Sequence, residues 1–121
     1  MSFAVAVLSL VDRLPLTAAG RVVAFQLAKS ATSVAANYRA TCLARSRREF
    51  IAKLGTVVEE ADESACWLEL IERRRMLPTD DVHRFLVESL ELRNIFGKSL
   101  ATARANARKT STSPLPHQIT R

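Results

Sequence analysis

Apolar residues recur at helical spacing along most of the chain, and the breaks between them fall at prolines and capping residues. The first stretch, Ser2 to Arg13, reads as a short helix. Leu14-Pro15 ends it, because proline disfavours helical geometry in the residue before it. Thr17 then stands as the N-cap of a second helix to about Ala44. On that helix Ala24, Leu27, Ala31, Val34 and Tyr38 alternate by three and four, while Gln26, Ser30, Ser33 and Asn37 form an uncharged hydrogen-bonding stripe. Ser46-Arg47-Arg48-Glu49 has the S-x-x-E form of a capping box, so a third helix starts there and runs to about Met76. Its seam of Phe50, Leu54, Val57, Ala61, Ser64, Leu68 and Ile71 keeps a heptad period. Leu77-Pro78 is the next break. Thr79 can cap, and Asp80 and Asp81 sit in the first turn, where the helix dipole favours them. The fourth helix runs from about Asp80 to near Arg108, with Val82, Phe85, Leu86, Ser89, Leu92, Phe96 and Leu100 inward. Residues 110–121 lack an apolar period and read as a disordered C-terminal tail. Short links between long amphipathic helices predict an all-α fold, an antiparallel up-down four-helix bundle over residues 1–109.

Composition narrows the function. At 121 residues the chain is one domain, and three glycines and four prolines are too few for a turn-rich β fold. Gly20, Gly55 and Gly97 lie too far apart for a phosphate-cradling loop. Cys42 and Cys66 form no metal or redox motif and suit a reducing compartment. The apolar N-terminus has no preceding Lys or Arg and no A-x-A cleavage site, so it reads as a buried helix. No apolar run reaches the roughly 18 residues of a membrane span. A cytoplasmic protein without a membrane role is expected.

Charge changes the picture more. Eighteen Lys and Arg against twelve Asp and Glu give +6, a balance that favours polyanions. Arg39, Arg45, Arg47, Arg48 and Lys53 face one acid, Glu49. Between Leu54 and Glu72 there are six acids and no base, followed by Arg73, Arg74 and Arg75. Cations at helix C-termini complement the dipole, but Arg47 and Arg48 fall in a first turn, where positive charge is unfavourable. That corner is therefore the better candidate for an external anion, through salt-dependent phosphate contacts. Arg104, Arg108 and Lys109 would add a mobile arm. Seven aromatics, mostly at core spacing, suggest reading of backbone or shape rather than of bases. The acidic band is either a solvated face or a partner for arginines of another subunit.

Chemistry finds little support. His83 and His117 have no Cys or His partner at ligand spacing, so no metal or other cofactor is expected. Glu60-Ala-Asp-Glu63 lacks the histidine of a di-metal carboxylate bundle. No nucleophile stands with a base, so no catalytic residue is assigned and the chain reads as non-enzymatic.

Three ordered motifs carry a family resemblance. Ser30-Ala-Thr-Ser-Val-Ala-Ala-Asn37-Tyr-Arg-Ala, on helix 2, is one. Arg45-Ser-Arg-Arg-Glu-Phe-Ile-Ala-Lys-Leu54 with Glu59-Glu-Ala-Asp-Glu-Ser-Ala-Cys-Trp-Leu-Glu-Leu70 is the second, and Glu91-Leu-Arg-Asn-Ile-Phe96 with Ser99 the third. The chain resembles the four helix bundle protein family, known also from proteins encoded in intervening sequences of 23S rRNA genes. The resemblance implies a bacterial cytoplasmic bundle that assembles as a ring-shaped homopentamer and has no established activity. It extends distantly to the accessory protein of diversity-generating retroelements, whose basic pentamers contact nucleic acid and a reverse transcriptase. An RNA or DNA ligand and a reverse-transcriptase-like protein partner are implied in that sense, by fold and charge. Ser33 and Asn37 fall on signature positions, as a hydrogen-bond pair fixing helix register or as a subunit or ligand contact. Trp67 is expected to anchor the core or an interface. Two departures stand out: Tyr38-Arg39 replaces a site that is acidic in many members, and helix 1 is short.

Overall fold

The computed structural model describes residues 1–112, which form four helices and no strand. They are α1 (Ser2–Val11), α2 (Ala18–Cys42), α3 (Arg47–Arg74) and α4 (Thr79–Thr112). Consecutive helices pack against one another, α1 on α2, α2 on α3 and α3 on α4, as a helical bundle. α4 continues past Arg108 to Thr112, and the remainder of the expected tail, with His117, lies outside the described residues.

Local chemistry sets the helix ends. Thr17 caps α2 by accepting from the Gly20 N–H at 3.1 Å. Ser46 caps α3 by accepting from the Glu49 N–H at 3.0 Å, while Glu49 Oε1 accepts from the Arg45 N–H at 3.1 Å. The capping box thus forms with its return bond one residue earlier than the motif prescribes. α3 ends with Arg75 in the left-handed region at φ 55. The Met76 N–H reaches the Ile71 carbonyl and the Arg75 N–H that of Glu72, the paired bonds of a Schellman motif. α4 begins one residue earlier than expected: Thr79 is already helical, and the Pro78 carbonyl accepts from the Val82 N–H.

The core has two parts. The upper cluster joins all four helices: Val7 and Leu10, Val23 and Leu27, Leu68 and Ile71, Val82 and Phe85. The lower cluster of Val34, Leu54, Val57, Ala61 and Leu100 contains no α1 residue. Length explains the difference. At about 1.5 Å per residue α1 spans about 15 Å and α3 about 42 Å, so α1 covers only the upper half of the seam. Between the clusters, small polar residues let the helices approach. Ser30 Oγ donates to the Leu27 carbonyl and lies 2.8 Å from Ser64 Oγ, and Ser89 Oγ donates to the Ala61 carbonyl at 2.7 Å. All three serines are fully buried.

The predicted α3 seam is buried from Leu54 to Ile71. Two seam residues emerge instead at the lower end: Tyr38 is 46% exposed and Phe50 37%. They occupy inward-facing positions, but α1 does not reach down to cover them.

Candidate nucleic-acid interface

The lower end of the bundle is built from the C-terminus of α2, the turn 43–46, the first turns of α3 and the last turns of α4. Because α3 and α4 run antiparallel, segments about 60 residues apart in sequence meet here. Arg47 Nη1 donates to the Asn106 carbonyl at 3.2 Å. This contact brings Arg39, Arg45, Arg47, Arg48 and Lys53 to the same end as Arg104, Arg108 and Lys109. The last three lie on the final turns of α4. Arg39, Arg45, Arg48 and Arg104 are exposed, and Lys53 is half-buried. Glu49 pairs weakly with Arg45 at 3.8 Å, and that arginine side chain is 90% exposed. No acid follows Glu91 along α4. The end therefore concentrates positive charge, which raises the local concentration of anions.

The acidic band on α3 is partly engaged within the chain. Asp62 pairs with Arg93 at 2.8 Å, Glu69 with Arg73 at 3.0 Å, and Glu72 with His83 Nδ1 at 2.9 Å. These pairs are exposed and contribute little to stability individually. Their effect is on geography: they hold negative charge in the middle and upper bundle, away from the basic end.

The other sequence candidates lie elsewhere. Asn37 Nδ2 donates to Ser33 Oγ at 2.9 Å and to the Ser33 carbonyl at 3.0 Å, both on α2. This pair does not by itself join two helices; the buried hydroxyl contact between helices is Ser30 with Ser64. The Glu60 carboxyl of α3 lies beside Ser33. Burial pushes its pKa above the usual carboxylate range and the Glu63 charge adds to this, while the Ser33 hydrogen bond and Lys29 oppose both. A carboxyl raised on folding binds its proton more tightly in the native state, so it disfavours the fold once pH rises above its unfolded value. Glu60→Gln should therefore raise the melting temperature at neutral pH, with the gain vanishing in acid. Thermal unfolding across a pH series checks this.

Trp67 sits on the upper half of α3, half-buried against the upper cluster, with Nε1 donating to Glu63 Oε2 at 3.4 Å. It is not part of the basic end. Tyr38, which the sequence placed in the core, does belong there. Its ring lies 5.4 Å from that of Phe96, tilted by 46°. Its phenol is held above the ordinary value, first by its side-chain hydrogen bond with Cys42, then by the Cys42 charge and by burial. Among the described residues no group of three or more His, Cys, Asp or Glu could hold a metal ion. Among them, too, no helix is long and apolar enough to cross a membrane.

Comparison with known proteins adds a lineage. The sequence model of the 23S rRNA-intervening sequence protein family matches residues 1–98. A crystal structure from Bacteroides thetaiotaomicron VPI-5482, of a protein with unknown function from the S23 ribosomal protein family, superposes with a TM-score of 0.75. The two chains are 30% identical, and the match covers 82% of this chain and 92% of that one. No curated protein matches.

Proposed function

The chain belongs to the 23S rRNA-intervening sequence protein family, and on that footing we propose that it is a non-enzymatic homo-oligomeric bundle, a pentamer, that binds RNA or DNA through its basic lower end. The observation that carries this reading is the Arg47–Asn106 contact, which gathers two basic segments onto one surface. Arg39, Arg45, Arg48 and Lys53 would contact phosphates from one side and Arg104, Arg108 and Lys109 from the other. Arg48 supports the reading further, because a cation in a helix's first turn costs stability unless something else uses it.

Substituting Arg45, Arg47 and Arg48 together by Glu tests it. Negative charge suits the first turn of α3, so helicity should persist. Binding to RNA and DNA should fall by on the order of 100-fold or more, since phosphate contacts are replaced by repulsion. Undiminished affinity at moderate salt removes the proposal.

A second reading is a protein-interaction scaffold, with a partner such as a reverse transcriptase and no nucleic-acid ligand. It is favoured by the apolar groove of about 440 Å³ between α2 and α3, where Val22 is 58% and Leu70 44% exposed. Light scattering of the same triple variant separates the readings. Loss of the oligomer assigns the arginines to subunit contacts; an intact oligomer with lost nucleic-acid binding assigns them to the ligand.

A further inference from the structure

We infer that the lower end takes single-stranded nucleic acid, its bases stacking on Tyr38 and Phe50 while the surrounding arginines hold the phosphates. This deepens the basic-end reading and rests on it. The argument starts from α1. The described bundle has no fourth helix beside its lower cluster, so the lower seam opens outward. Where α1 begins, a pocket of about 170 Å³ lies between Phe3, Ala35, Leu92 and the Tyr38–Phe96 ring pair, with Glu88 on its rim toward the upper bundle. Below it Phe50 is also uncovered, although the next six residues of its seam are buried. Two aromatic rings at inward positions are thus left half-exposed, and Arg39, Arg45, Arg48 and Arg104 stand exposed around the same end.

Apolar rings and concentrated cations together ask for an occupant that is flat, apolar-faced and polyanionic. A single strand has both properties, because its bases can splay onto aromatic side chains while its phosphates meet arginine. A duplex supplies the charge but keeps its base faces stacked inside, so it would leave Tyr38 and Phe50 uncovered. A second copy of α1 fits less well still: from Ser2 to Val11 it carries no charged residue, so the arginines would go uncompensated.

Fluorescence anisotropy with a short labelled oligouridylate, against an RNA duplex of the same length, tests the inference. The single strand should bind more tightly than the duplex. Tyr38→Ala should weaken single-strand binding by about tenfold, leave duplex binding unchanged, and be matched in part by Phe50→Ala. Tyr38→Phe keeps the ring and should bind as the parent does. If Tyr38→Ala does not fold, Tyr38→Trp in a Trp67→Phe background replaces it, and its emission should be quenched by the single strand but not by the duplex. Equal or tighter duplex binding, unchanged affinity in Tyr38→Ala, or unquenched emission in Tyr38→Trp overturns the inference and leaves the basic-end reading standing. A change in oligomer mass at unaltered affinity puts a second copy in the slot and overturns it too. Binding of neither nucleic acid removes the basic-end reading itself.

Discussion

Gly20→Ala should destabilise the protein by about 3 kcal/mol, the cost of overpacking a site that cannot yield. Gly20 lies in the first turn of α2, where the Pro15 carbonyl folds back over the helix. A methyl group built on Gly20 would collide with the Pro15 oxygen and lie 3.0 Å from its carbonyl carbon. Both are backbone atoms, so no side-chain rotation relieves the clash. The same N–H donates to Thr17, and a displaced turn would lose that cap as well. Gly55 and Gly97 provide the control, since a methyl group there meets nothing within 4 Å. Alanine at either should be neutral or slightly stabilising through its helix propensity. Urea denaturation of the three variants gives the comparison, and equal midpoints would refute the clash.

Ser64→Leu should cost a similar amount, about 3 kcal/mol, for a different reason. Ser64 is fully buried where α3 meets α2, 2.8 Å from the Ser30 hydroxyl. A branched side chain of twice the reach would push the helices apart at their small-residue layer. Removing hydroxyls is a gentler change. Ser30→Ala deprives Ser64 of its acceptor and should cost about 1–2 kcal/mol, whereas the double change to Ala removes both partners and should cost less than the sum. A double-mutant cycle by chemical denaturation measures that coupling. Additive losses would mean that the two hydroxyls do not act as a pair.

Much of this was legible in the sequence because it is local. The Thr17 cap, the Ser46 cap and the buried run from Leu54 to Ile71 depend on residues within one helix. The failures share a cause: burial at a heptad position requires a neighbour that reaches the same level. Tyr38 and Phe50 sit at the right period, yet α1 stops short of them. The signal was present, since Leu14-Pro15 limits α1 to a few turns while the α3 seam runs for seven positions. Comparing helix lengths, rather than reading each period separately, would have exposed both rings. The meeting of the two basic segments was legible only through antiparallel topology, which places the end of α4 beside the start of α3. Arg75 gave no local signal, because the left-handed C-cap is more often Gly. The crowding around Gly20 likewise depends on the path of the chain from Pro15.

The chain-order packing of the helices also bears on how fast the protein reaches its fold. α2 meets α3 across four residues and α3 meets α4 across another four, so each pairing closes a short loop at small entropic expense. Helical proteins dominated by such near-neighbour contacts fold in microseconds to milliseconds. The exception is α1, whose junction with α2 is tied to the start of α4 by the Arg13–Asp81 pair across 68 residues. That exposed pair can form only once α4 is in place, so it adds nothing to the early pairing of neighbouring helices and little to the final stability.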